Sequence, residues 1–199
     1  LEMGCEVVDI GLCSTPMSYF ANVYFKADAS LMLTASHNPA EYNGFKLCGK
    51  DAQPFTTFAP TKKIEKLIKD GVFKQSDTKG KIRQEEILDQ YIERIIQGIK
   101  VDQEKIGEIV VDGGNGMAGL IVPKMLTKLG IKYQTLFIEL DGNFPNHEPN
   151  PLKHETLKSL QEKVIGSGAT LGISIDGDGD RIGFVDESGE VVNADLITI

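Results

Sequence analysis

Between residues 173 and 187 the sequence runs ISIDGDGDRIGFVDE, with Asp176, Asp178 and Asp180 at alternate positions and glycines between them. Carboxylates this close raise one another's pKa unless a compensating charge sits among them. A hard divalent cation with oxygen ligands is the natural one. Together with Glu187 the aspartates match the first, third, fifth and twelfth ligand positions of an EF-hand calcium loop. The sixth position, where that loop needs glycine, is Arg181, and the flanks LGISI and RIGFV are apolar and β-branched. They read as strands where an EF-hand needs helices. A calcium-binding module using this loop is therefore the weaker reading. The stronger one is an incomplete Mg²⁺ site, in which three carboxylates need water or a phosphate oxygen to fill an octahedral shell. A solvated acidic turn is the plain alternative.

Two other stretches carry chemistry. In LTASHNPAEYNGFK, residues 33–46, a strand ends at Ser36, and His37, Asn38 and the turn-forming Pro39 follow at once. That holds a serine hydroxyl at a loop tip. There is no GxSxG elbow, and sequence neighbours rarely point at one another, so His37 does not by itself make Ser36 a hydrolase nucleophile. An Asn-Pro turn with a surface serine explains the same residues. GNGMAG, residues 114–119, fits GxGxxG, follows the strand EIVVD and opens a helix, with Glu139 about 20 residues further on. An NAD-dependent oxidoreductase could use it, but tight strand-to-helix turns need glycine for their own geometry. A structural turn is the preferred reading.

The elements that must position these residues follow from periodicity. CEVVDIG, SLMLTA and GFKLCG are short apolar runs consistent with strands. PTKKIEKLIKDG reads as a helix with Gly71 as its C-cap. Residues 84–100 form a second helix, with Ile87, Leu88, Tyr91, Ile95 and Ile99 on one face. VDQEKIG then connects to a second unit, with a boundary near residue 100. That unit alternates: strand IGEIVVD, helix GMAGLIVPKMLTKLG, strand IKYQTLFIEL, the long loop DGNFPNHEPNP, helix HETLKSLQEKVIG, and strands ATLGISID, RIGFVDE and EVVNAD. Such alternation predicts a parallel α/β sheet whose later strands are mixed. The chain opens as a helix ending before a strand and stops as a helix begins, so both ends read as cut within a larger protein.

Composition sets the outer limits. The 199 residues are 41% hydrophobic and 25% charged, ordinary for a soluble globular chain. The net charge of −8 disfavours nucleic acid or an anionic membrane as partner. It would also repel a phosphorylated ligand at long range, so any anion site must be built from local cations, backbone amides or a metal. Three scattered cysteines without a CxxC suggest reduced thiols in a cytoplasmic protein. No apolar run approaches the roughly 20 residues of a membrane span.

TASHNPAEYNGFK, VVDGGNGMAG, DGNFPNHEPNP and DGDGDR resemble, in this order and across nearly the whole chain, segments of the α-D-phosphohexomutase family, in its bacterial phosphomannomutase/phosphoglucomutase branch. The resemblance implies a phosphoglucomutase-like α/β fold of consecutive three-layer α/β/α domains with mixed, mostly parallel sheets. It assigns residues 1–100 to the later part of domain I, 101–188 to domain II and 189–199 to the start of domain III. The arginine-bearing loop of the first strand, and the sugar-discriminating and phosphate-clamping loops of domains III and IV, have no counterpart here. It implies that Ser36 is a phosphoserine whose phosphate oxygen joins Asp176, Asp178 and Asp180 around one Mg²⁺. Lys46 would serve proton transfer or charge neutralisation with His37 assisting, and Arg181 and Asn38 would bind substrate. The implied reaction interconverts hexose 1-phosphate and hexose 6-phosphate, of mannose or glucose or both, through a hexose 1,6-bisphosphate intermediate. The partners implied are a phosphorylated hexose and the missing domains III and IV. The fragment alone is expected to be inactive.

Overall fold

The structure is a computed structural model that describes residues 1–55, 58–71, 73–102 and 104–197. The first unit holds two small sheets. β1 (Val7–Asp9) pairs in parallel with β4 (Ile82–Gln84), and β2 (Ala29–Leu33) pairs antiparallel with β3 (Phe45–Gly49). Around them lie α1 (Thr15–Tyr24), α2 (Phe58–Asp70) and α3 (Leu88–Ile96). The second unit is a five-stranded sheet of order β6-β5-β7-β8-β9. Its strands are β5 (Ile109–Asp112), β6 (Tyr133–Leu136), β7 (Leu171–Ile175), β8 (Ile182–Asp186) and β9 (Val191–Val192), with α4 (Ala118–Leu129) and α5 (Lys158–Ser167) between them. A short α6 (Ala194–Ile197) follows.

The mixed sheets expected from the sequence are present. Among the described residues three strand pairings are parallel and three antiparallel. β5 shows why this unit has three layers, because all four of its residues are buried. Alternate residues of a strand face opposite ways, so Val110 packs with Leu157, Leu160 and Val164 on the α5 side. Ile109 and Val111 pack with Ala118, Val122 and Leu126 on the α4 side. A third cluster joins the units: Met17 and Ala21 of α1 and Ile92 of α3 meet Ile121 of α4.

Several local expectations are corrected. No element was expected between residues 12 and 29, yet α1 lies there, started by the Ser14 side chain accepting the Met17 N–H at 3.2 Å and by Pro16 in its first turn. The first six residues hold a turn, closed by the Gly4 N–H on the Leu1 carbonyl, rather than the end of a helix. α3 stops at Ile96, short of Lys100, and its fully buried residue is Ile92, whereas Ile99 is exposed. β9 hydrogen-bonds to β8 at the edge of the second sheet. The final helix begins as expected, but residues 198 and 199 lie outside the described residues. Gly71 follows Asp70 at φ 65°, as a C-cap glycine should. The three cysteines are free.

Candidate functional site

The aspartate stretch is the turn of a hairpin. β7 and β8 run antiparallel with Ile175 opposite Ile182 as their last pair, and residues 176–181 cross between them. Asp176, fully buried, organises this turn. Its Oδ1 accepts the N–H groups of Asp180 (2.9 Å) and Arg181 (3.1 Å). Gly179, at φ 78°, takes the left-handed backbone that lets the turn curl. The carboxylates of Asp176, Asp178 and Asp180 thereby offer oxygens that all lie within 4.8 Å of one another. Strands flank the turn on both sides, so the EF-hand geometry is absent.

The first unit delivers the remaining groups from 140 residues away. β2 leads into Ser36, whose backbone is left-handed at φ 57° and whose N–H is taken by Thr34 Oγ1 at 2.9 Å. A non-glycine residue there costs roughly 1–3 kcal/mol, and such strain collects at functional sites. Ser36 Oγ lies 3.1 Å from Asp176 Oδ2 and 3.1 Å from Asp178 Oδ1. One hydroxyl proton serves only one of these acceptors. Three oxygens converging on one point with a single proton between them suit a cation. The close approach needs glycine at 177, since a Cβ there would lie 2.5 Å from the Ser36 carbonyl oxygen.

Lys46, on β3, reaches across with Nζ 2.7 Å from Asp178 and 2.5 Å from Asp180. Burial opposes its charge, but the hydrogen bonds to the two aspartates outweigh that and hold the ammonium above the usual lysine range. Burial also pushes Asp178 up, yet bonds from Lys46 and Thr15 win, and it titrates below the ordinary carboxylate. Asp176 goes the other way, raised first by burial and further by the charges of Asp178 and Asp180. The neighbouring acids are thus driven apart, one held as a carboxylate and the other easing toward a proton.

His37 and Arg181 form the rim. Arg181 Nη1 lies 2.9 Å from His37 Nδ1, and Ser36 Oγ is 3.3 Å from the same nitrogen. A guanidinium only donates, so Nδ1 turns its lone pair toward Arg181 and becomes a third acceptor competing for the single Ser36 hydroxyl proton. Asn38 is exposed, and its Nδ2 closes its own turn on the Ala35 carbonyl at 2.7 Å. The structure brings Ser36, His37, Lys46, Asp176, Asp178, Asp180 and Arg181 together; Asn38 is the one expected site residue whose amide is spent locally.

Sequence reasoning missed Thr15. It is fully buried at the start of α1. Its Oγ1 donates to Asp178 Oδ2 at 2.8 Å and accepts from Lys46 Nζ at 3.1 Å, while its N–H binds the Asp178 carbonyl at 2.8 Å. A helix N-terminus therefore faces Asp178 and adds its partial positive charge. The Ser-Thr-Pro run at residues 14–16 was a legible start signal.

The glycines of GNGMAG are occupied by the chain itself. A Cβ on Gly116 would lie 2.7 Å from Gly177 backbone atoms, and one on Gly119 would lie 1.8 Å from the Ile138 carbonyl oxygen. The Met117 N–H, facing where a pyrophosphate would dock, is given to the Gly177 carbonyl at 2.9 Å. This turn packs the aspartate loop against α4, which removes the ground for a dinucleotide site.

Comparisons with known proteins point to one family. A family model described as phosphoglucomutase/phosphomannomutase, alpha/beta/alpha domain I, matches residues 1–73, and the one for domain II matches residues 89–189. The chain is 42% identical over 196 residues to a phosphomannomutase/phosphoglucomutase of Pseudomonas syringae pv. tomato, covering 98% of this chain and 41% of that protein. It is 37% identical over 199 residues to a phosphoglucomutase of Neisseria gonorrhoeae, again covering 98% and 41%. A crystal structure of a phosphoglucomutase/phosphomannomutase family protein from Burkholderia thailandensis superposes with a TM-score of 0.88 at 35% identity, over 98% of this chain and 43% of that one. The chain thus spans about two fifths of the length of the curated relatives it matches.

Proposed function

Because this chain belongs to the phosphoglucomutase/phosphomannomutase family, we propose that it carries the phosphoserine and cation centre of an enzyme interconverting hexose 1-phosphate and hexose 6-phosphate. The observation that carries this reading is Ser36 Oγ poised 3.1 Å from both Asp176 and Asp178 across 140 residues of sequence. The hexose is glucose, mannose or both, in keeping with the names of the relatives. The remainder of the enzyme, including the third and fourth domains, supplies the sugar-discriminating contacts. Within the chain the first two domains divide near residue 100, and the third begins at residue 189. A cytoplasmic location fits three free thiols and the absence, among the described residues, of a helix long and apolar enough to cross a membrane.

The donor set is all oxygen, spans 4.8 Å and carries three carboxylates against the single close ammonium of Lys46, which fits Mg²⁺. When bound by Asp176, Asp178, Asp180 and an oxygen on Ser36, Mg²⁺ supplies charge withdrawal from the transferring phosphoryl group. The chain's own residues do the rest. Ser36 carries the phosphoryl group; the P–Oγ bond breaks as a bond forms from phosphorus to O1 or O6 of the hexose monophosphate. The sugar hydroxyl loses its proton, and Ser36 Oγ ends protonated. The resulting hexose 1,6-bisphosphate reorients and returns its other phosphate to Ser36. Lys46 acts by charge neutralisation, because its ammonium is held by two acceptors and is a poor base. His37 Nδ1, 3.3 Å from Oγ, is the base that takes the proton from the sugar hydroxyl and passes it to Ser36 Oγ as the P–Oγ bond breaks. Arg181 presents a guanidinium to the substrate phosphate, and Asn38 is a further substrate contact in this reading.

The test is mutase turnover by the full-length enzyme carrying Ser36→Ala. Removing a covalent nucleophile should lower kcat by on the order of a thousandfold or more. Retention of near-wild-type turnover would sink the phosphoserine reading.

A further inference from the structure

Asp112 ends β5 with its side chain fully withdrawn from solvent. Its Oδ1 accepts the Gly114 N–H at 2.9 Å, and its Oδ2 lies 2.9 Å from His147 Nε2. The other ring nitrogen, Nδ1, lies 2.8 Å from the Glu148 carbonyl oxygen. A carbonyl and an ionised carboxylate only accept, so the ring donates from both nitrogens, which only the imidazolium does. A neutral ring would turn a lone pair toward one of these oxygens where unpaired polar groups cost the most. The other charged groups nearby are Glu148, bound to Lys153 Nζ at 2.5 Å and to Asn150 Nδ2 at 3.2 Å, and His37, on the loop after β2, which lies close enough to act on Glu148.

The pair ties the 141–151 loop to the sheet. Asn146 Nδ2 donates to Asn115 Oδ1 at 2.8 Å, and the Asp141 N–H to the Asn115 carbonyl at 3.0 Å. The same loop backs the aspartate turn. A Cβ on Gly177 would lie 3.4 Å from Pro149 Cγ and 3.5 Å from Phe144 Cζ, and one on Gly183 would lie 3.0 Å from Pro151. The loop is the wall against which the aspartate turn rests.

We propose that His147, as an imidazolium paired with buried Asp112, is a positioning residue for the cation centre, fixing the 141–151 loop that sets the aspartate turn. The consequence for the cation rests on the reading of that centre given above; the protonation of His147 and the placement of the turn do not.

The experiment follows the ring ¹⁵N resonances of His147 and the amide resonances of Gly177 and Asp178 in the 199-residue chain from pH 5 to 9, with Mg²⁺ affinity by calorimetry. Three proteins are compared: wild type, His147→Gln and Asp112→Asn. An asparagine at 112 keeps the Gly114 bond through its oxygen and can donate to a neutral Nε2, preserving the pair without charge. The expected results are a doubly protonated ring at pH 7 in wild type and a singly protonated one in Asp112→Asn. His147→Gln should shift the Gly177 and Asp178 amides and weaken Mg²⁺ about tenfold, as loss of an outer-shell support does. Asp112→Asn, which keeps both hydrogen bonds of the pair, should weaken Mg²⁺ less than His147→Gln does. A neutral ring in wild type at pH 7, or a doubly protonated one in Asp112→Asn, overturns the proposal. So do unmoved Gly177 and Asp178 amides in His147→Gln. A wild-type chain that binds no Mg²⁺ would instead overturn the cation reading, leaving ring state and amide shifts to decide this one.

Discussion

At the scale of single residues, Thr15 and Gly177 are where the site is most exposed to test. Thr15→Val keeps shape and removes one hydroxyl from between Lys46 and Asp178. Leaving a buried acceptor short of a bond costs about 1–3 kcal/mol. We expect a stability loss in that range by urea denaturation, with a lower mutase kcat at little change in KM. Gly177→Ala is expected to spare most of the stability but push the Ser36 backbone away, because its Cβ would meet the Ser36 carbonyl oxygen at 2.5 Å. Mg²⁺ affinity, measured by calorimetry, should fall more than the unfolding midpoint does. The aspartate cluster was legible from residue type and spacing, whereas Ser36 was tied to it only by the family resemblance. Thr15 was not, because a threonine bonded to a carboxylate 163 positions away leaves no local trace.

At the scale of elements, the site depends on two glycine turns and one loop. Gly119→Ala would drive a Cβ to within 1.8 Å of the Ile138 carbonyl oxygen. Forcing α4 away from the segment after β6 should cost about 3 kcal/mol, read as a lower urea midpoint, and neither the wild type nor the variant should bind NAD(H). The 141–151 loop gives a pH signature. The Asp112 hydrogen bond raises His147 above its ordinary value, against burial. Its pairing therefore stabilises the fold fully below the unfolded pKa of about 6.5 and is lost as pH rises through the folded value. The urea midpoint should decline on that alkaline side and decline less in Asp112→Asn. Periodicity gave the strands and helices of the second unit because both faces of its sheet are covered. It failed for α1, whose apolar residues Met17, Phe20 and Ala21 are interleaved with polar Ser18 and Asn22 that are themselves buried. Asn22 is held by Ser30 and the Gly49 carbonyl, a tertiary fact invisible to a hydrophobic pattern.

At the scale of the molecule, the net charge of −8 means that a phosphorylated ligand is drawn in by local cations only. Lys46 and Arg181 gather at the one cluster of three carboxylates found among the described residues. The family was legible in the order of four motifs, but sugar preference was not, since none of the four motifs was read as touching the sugar. The isolated chain should accordingly show no measurable mutase turnover while still binding Mg²⁺, and coupled assay and calorimetry on the same sample separate the two. The central claim is that Ser36 is the residue that carries phosphate. Full-length enzyme incubated with hexose 1,6-bisphosphate and Mg²⁺, then analysed by intact mass and phosphopeptide mapping, tests it most directly. One added phosphate on Ser36, discharged by hexose monophosphate, is the predicted result; an unmodified Ser36 in turnover-competent enzyme, or phosphate on another residue, would contradict it.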